Sequence, residues 1–147
     1  MTGAAGPSPA RRLRIAAAVI QDSRGRLLLV RKAGTVAFMQ PGGKLEPRET
    51  AAQCLVRELG EELALDVPLA ELEPLGRFAA PAANEAGWSV DAEVYRWSGL
   101  TAAAAEALAP RAELEELRWC TREELEALAA SGLLAPLTRD NLGVLLG

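Results

Sequence analysis

Between Pro41 and Val67 the chain reads PGGKLEPRETAAQCLVRELGEELALDV. A glycine turn leads into a segment whose pattern demands a helix, and whose two sides demand different surroundings. Thr50, with Gln53 three residues on, matches a capping box. Ala52, Leu55, Val56, Leu59 and Leu63 then recur at helical spacing as an apolar stripe, and Pro68 marks the end of the segment. At about 100° per residue, Glu58, Glu61 and Glu62 fall within an arc of roughly 100° on another side. Three carboxylates so spaced repel, each close pair costing about a few tenths of a kcal/mol. Arg57 alone stands nearby to relieve them. Such a helix fits a fold that gives its stripe a core and its glutamates a cation.

A hard divalent cation fits the second need. Mg²⁺ prefers oxygen ligands and commonly shares itself between carboxylates, waters and substrate phosphates. The Pro41-Gly42-Gly43 turn lets the backbone pass close to such ions, so a carbonyl there is a further ligand. A divalent cation with a nearby carboxylate base is an adequate hydrolytic apparatus. The chain has no histidine, which excludes any His-containing triad and leaves carboxylates as the leading bases.

The flanks supply strands. Arg14 to Ile20 and Arg26 to Arg31 are short apolar runs separated by QDSRG, which predicts a hairpin of two buried strands. Val36 to Met39 predicts a short extended piece. Leu72 to Ala80 and Trp88 to Gly99 predict two more strands joined by the loop PAANEAG. The alanine-rich run from Thr101, interrupted by Pro110, predicts a loop with a short helix. Leu117 to Cys120 predicts a strand, and Thr121 with Glu124 a second capping box opening a helix to about Ala130. TRDNLGVLL predicts a last helix. Strands, helix, strands, helix is the order of an α+β arrangement, an α/β/α sandwich with a mixed sheet between helices.

A length of 147 residues predicts one domain, over residues 13–147, after a mobile small-residue tail at 1–12. A net charge of −4 argues against a nucleic-acid polymer or an anionic membrane surface as partner. The apolar run from Ile15 to Ile20 is too short to span a bilayer and no signal peptide is evident, so a cytoplasmic location is expected. Cys54 and Cys120 form no CxxC pair and are expected to be reduced thiols.

Gly43, Glu49, Arg57, Glu58, Leu59, Glu61, Glu62 and Leu65 stand at the spacings G-x5-E-x7-R-E-U-x-E-E-x-G-U, where U is aliphatic. That is the Nudix box, and from about Arg14 to Ala130 the chain resembles the Nudix hydrolases. The one departure is Ala64, where the pattern has its second glycine. The resemblance implies a Nudix fold with a loop–helix–loop motif, and Mg²⁺-dependent hydrolysis (Mn²⁺ substituting) of a diphosphate linkage by water attack on phosphorus. The substrate would be a nucleoside diphosphate derivative: a nucleoside triphosphate, ADP-ribose, a nucleotide sugar or a dinucleoside polyphosphate. The alternative is a Nudix-fold nucleotide-binding or regulatory module without catalysis. The resemblance implies Glu58, Glu61 and Glu62 as metal ligands, with the Gly42 carbonyl as another. Glu58 is the first choice of base, Glu61 shares the catalytic face, and Arg57 with Glu49 orients the ligands. Glu113, ahead of Glu115 and Glu116, is the candidate to complete the metal site from outside the box. Lys44, Arg31 and Phe38 are substrate-binding candidates, with Lys32, Arg77, Trp88 and Trp97 behind them. No sequence feature decides between monomer and homodimer.

Overall fold

The computed structural model describes residues 11–146, so the expected mobile tail lies almost wholly outside the described residues. The chain forms β1 (Arg12–Val19), β2 (Leu27–Lys32), β3 (Gly42–Lys44), α1 (Ala51–Leu63), β4 (Glu73–Pro81) and β5 (Ser89–Arg96). Then come α2 (Ala102–Ala107), β6 (Leu114–Cys120), α3 (Arg122–Ala130), α4 (Pro136–Arg139) and α5 (Leu142–Leu146).

A mixed four-stranded sheet runs β3-β1-β5-β4, and β2 pairs with β6 in a separate antiparallel ribbon. β1 lies at the centre, parallel to β5 and antiparallel to β3. Side chains alternate along it, so Ala16 and Ala18 face one way while Ala17 and Val19 face the other. On the first side they meet Leu28, Val30 and the α1 residues Leu55, Leu59 and Leu63. On the second they meet Leu125, Leu137 and Leu145 from α3, α4 and α5. Both faces are thus covered by helices, as the α/β/α expectation requires. Each fully buried leucine contributes about 2 kcal/mol of transfer free energy.

The two capping boxes close as expected, Thr50 with Gln53 and Thr121 with Glu124. The hairpin of the first two runs does not form as a paired unit. Asp22 closes the turn by accepting from the Arg24 and Arg26 amides, and Leu28 donates to the Ile20 carbonyl. Beyond that the strands part, because a strand has two edges and both edges of β1 are taken by β3 and β5. β2 therefore finds β6. The last helix also differs: it is two short pieces, α4 and α5, broken at Asp140 and Asn141. Among the described residues no helix is long and apolar enough to cross a membrane.

Candidate active site

The site begins with two glycines on β3. Gly42 has φ +151°, and a Cβ there would fall on the Ala16 carbonyl oxygen of β1. Gly43 has no room for a Cβ either, because one would meet the Glu58 carboxylate. The missing side chains let α1 lie directly against the strand. Cys54 adds to this contact, its thiol donating to the Gly43 and Lys44 carbonyls at 3.5 and 3.4 Å. Burial pushes that thiol up to about 12.

The close approach rotates α1 from its expected setting. Its buried residues are Ala51, Cys54, Leu55, Leu59, Glu62 and Leu63, while Ala52 and Val56 are only half-buried. The three glutamates consequently meet different surroundings. Glu61 is exposed and Glu58 half-buried, but Glu62 is 2% exposed. Both carboxylate oxygens of Glu62 are buried without a hydrogen-bond partner. Burial, then the charge of Glu58, pushes its carboxyl up to about 8. Lys32 and the Gly42 amide offset this in part, the amide without the alignment of a hydrogen bond. Glu58 is also raised, by burial first, against the pull of Arg57.

Arg57 organises the rest. It grips Glu49 with two bonds, Nε to Oε2 at 2.7 Å and Nη2 to Oε1 at 2.9 Å. It also donates to Glu58 at 2.9 Å, to Glu61 at 3.3 Å and to the Lys44 carbonyl at 3.2 Å. Bonding to Arg57 holds the Glu49 carboxyl down at about 2, and Glu49 in turn keeps Arg57 charged. Glu49 Oε1 accepts from the Glu46 amide as well, which fixes the loop leading into α1.

With the guanidinium bound to so many carboxylates, no three acidic or thiol side chains among the described residues converge as a finished metal cage. The donor set still fits a hard cation. Glu62 keeps two buried, unpartnered carboxylate oxygens, and the charges of Glu58 and Glu113 both bear on them. A divalent ion would relieve that unfavourable burial.

Glu113 sits just before β6, with Lys32 Nζ at 3.5 Å and its charge felt by both Glu58 and Glu62. Glu115 and Glu116 are instead engaged by Arg31, at 2.9 and 3.2 Å. Arg31 also lies against the Phe38 ring, whose other neighbour is the Arg118 guanidinium at 4.4 Å from the centroid. Phe38 is buried in the core facing α3 and α4, so the structure does not bring Arg31 or Phe38 to the glutamates. Lys44 is exposed beside the glycines, with Glu85 at 3.8 Å. Arg77 pairs with Asp91 at 2.6 Å, Trp97 is buried and donates to Glu71, and Trp88 is 37% exposed.

A cavity lies against the same glycines, with Lys32 and Lys44 also in its wall. Its buried polar lining is Gln40 and Thr138, which sequence reasoning did not single out. They stand 98 positions apart and meet only in the fold, so no local pattern marks them.

The helix exit carries the one departure from the box. Ala64 adopts φ 55° and ψ 33°, a left-handed conformation, and its amide reaches the Gly60 and Leu59 carbonyls. Leu65 and Val67, both buried, follow it into the core beside α1.

The family model of the NUDIX domain matches residues 11–140. A curated 8-oxo-dGTP diphosphatase of Proteus vulgaris is 43% identical over 61 residues, 39% of this chain and 54% of that protein. The chain thus spans about half the length of the curated relative it matches. Among solved structures, the E. coli ORF135 protein superposes with a TM-score of 0.64 at 28% identity, over 95% of this chain and 92% of that one. The MutT protein from Methanosarcina mazei Go1 superposes with a TM-score of 0.70 at 21% identity, over 91% and 92% of the two chains.

Proposed function

This chain belongs to the Nudix family, and on that premise we propose that it hydrolyses a diphosphate linkage in a nucleoside diphosphate derivative, using Mg²⁺. The observation that carries the reading is Glu62: a buried carboxylate with both oxygens unpartnered, where an apolar residue would pack at no electrostatic cost. Glu58, Glu61 and Glu62 would hold the cation, with Glu113 from the loop before β6 and the Gly42 carbonyl. When bound, Mg²⁺ supplies neutralisation of the diphosphate charge and polarisation of the phosphorus under attack.

The chain's own side chains do the remainder. Glu58 Oε1 is held by Arg57, while its other oxygen lies over Gly43 and is free to take a proton from the attacking water. The water oxygen bonds to phosphorus as the bridging oxygen departs with the leaving phosphate. Arg57, braced by Glu49, fixes the Glu58 rotamer and keeps Glu61 near. Lys32 and Lys44 place positive charge beside the glycines, where phosphate oxygens would lie. The relative from Proteus vulgaris is named for a nucleoside triphosphate substrate, and we extend that class to this chain.

The test is a product-release screen over nucleoside triphosphates, ADP-ribose, nucleotide sugars and dinucleoside polyphosphates, with Mg²⁺ or Mn²⁺. A Glu61→Gln, Glu62→Gln double variant and a chelator serve as controls. Turnover should vanish in both controls. No turnover on any of these compounds, or undiminished turnover in the double variant, sinks the proposal.

A further inference from the structure

We infer that Lys32 is a positioning residue for the metal site: its ammonium group competes with the divalent ion for the Glu113 carboxylate, and turns into the cavity when the ion takes that carboxylate. The inference rests on the hydrolase reading for Glu113 as a ligand. It goes beyond that reading by giving the ion a rival inside the protein.

The pairing of β2 with β6 brings the two side chains together. Arg31 lies opposite Glu116 but Lys32 opposite Leu114, so Glu115 is an extra residue that bulges from the ladder. A bulge bends its strand and re-aims the side chains around it. Here Glu115 and Glu116 both go to Arg31, at 2.9 and 3.2 Å. Lys32 leaves its strand on the opposite face. The carboxylate it meets is Glu113, Nζ to Oε1 at 3.5 Å. The Ala33 amide donates to the Glu113 carbonyl at 2.9 Å, which ties the two backbones at this point.

Lys32 has different surroundings on its two sides. On one are carboxylates: Glu113 itself, and Glu62, on which the charges of both Lys32 and Glu113 bear. On the other is the cavity, whose wall Lys32 shares with Gly42, Gly43 and Lys44. The Lys32 side chain is 33% exposed, so its flexible stem has room to swing between them. A divalent ion held by Glu62 and Glu113 would repel the ammonium group, more strongly than a single charge would. The cavity is where that group can go, and where the hydrolase reading places the phosphate oxygens.

The residue type agrees with such an exchange. Of the 16 basic residues, two are lysines, Lys32 and Lys44, and both line this cavity. An arginine would grip Glu113 through its planar fork and hold it against the ion, whereas an ammonium group makes a point contact that yields. An ion pair exposed on both sides, as this one is, is weak enough to be exchanged.

The experiment is nuclear magnetic resonance of the full chain with its lysines ¹³C-labelled at Cε, titrated with MgCl₂ in phosphate-free buffer. Lys32→Met assigns the two signals, and Lys44→Met does so equally well should Lys32→Met fail to fold. The Lys32 signal should shift with the ion and saturate, while the Lys44 signal stays. Calorimetry supplies the affinities. Lys32→Met should bind Mg²⁺ about threefold or more tighter than wild type, and Lys32→Arg about threefold or more weaker. Lys44→Met, whose partner is Glu85, should change the affinity by less than about twofold. In a Glu113→Gln background the gain from Lys32→Met should shrink. An unmoved Lys32 signal, no binding of Mg²⁺, or equal tightening in Lys32→Met and Lys44→Met overturns the inference. Mg²⁺ that displaces Lys32 in a protein without turnover would leave this inference standing and sink the hydrolase reading. Mg²⁺-dependent turnover with Lys32 unmoved would do the reverse.

Discussion

Replacing Ala64 with glycine should stabilise the protein, although glycine ordinarily weakens a helical region. Ala64 closes α1 in the left-handed region, at φ 55° and ψ 33°, and its side chain is exposed. For an L-residue that conformation costs about 1–2 kcal/mol, which glycine does not incur. Glycine adds freedom to the unfolded chain, which costs back about 0.4–1 kcal/mol. The net gain is about 0.5–1 kcal/mol, or a rise in Tm of about 1–4 °C for a domain of this size. Urea unfolding at unchanged slope measures it directly. Ala127→Gly is the matched control: it is exposed within α3, and glycine there should cost about 1 kcal/mol. Opposite signs at the two alanines establish the conformational argument. A lowered urea midpoint in Ala64→Gly would refute it, and would mean that the alanine methyl makes a contact worth more than the strain.

Glu62→Gln should raise the stability of the metal-free protein at pH 8 by about 1–3 kcal/mol, since it removes a buried charge with no partner. The same variant should lose any thermal stabilisation by added Mg²⁺, and both effects can be read in one set of melts. Gly43→Ala should keep the fold, because the Glu58 side chain in its way is flexible, and should lower kcat about tenfold or more. Gly42→Ala should instead fail to fold stably, because its obstacle is the β1 backbone; urea melts separate the two. Arg57→Lys loses the two-bond grip on Glu49 and should cut kcat by about 10–100-fold, with the far-ultraviolet spectrum unchanged. Burial holds the Cys54 and Cys120 thiols at about 12 and about 11. Neither should react with Ellman's reagent at pH 8 until urea unfolds the chain. Because folding raises both pKa values above the ordinary thiol value of 9.0, their contribution to stability is flat below that pH. It is lost as pH rises from there towards 11 and 12.

Local chemistry is what the sequence makes plain. Thr50 and Thr121 cap their helices because capping involves residues three apart, and the box spacing is visible for the same reason. Partnership over distance is not. The turn at Asp22 is real, yet it says nothing of whether β1 has an edge to spare for β2, and β3 and β5 leave it none. The setting of α1 was hidden in a similar way. Hydrophobicity centres the stripe near Ala52, but the helix meets the glycine strand through Cys54, with Ala51 buried rather than Ala52, and that setting turns Glu62 inward. Glu113 is brought to the site by the pairing of β2 with β6, whereas Glu115 and Glu116 are taken up by Arg31. Gln40 and Thr138 carry no local signature at all.

The contrast between Gly43 and Ala64 bears on how members of this family are recognised. At Gly43 a side chain would displace the Glu58 carboxylate from its place over the strand, so a substitution there costs the site rather than the fold. At Ala64 the helix leaves in the same left-handed turn without its glycine, anchored by Leu65 and Val67 beyond it. A pattern search that weights the two glycines equally would discard chains like this one over a position that is merely preferred. Ranking the positions by steric necessity would retain them and still reject a chain altered at Gly43.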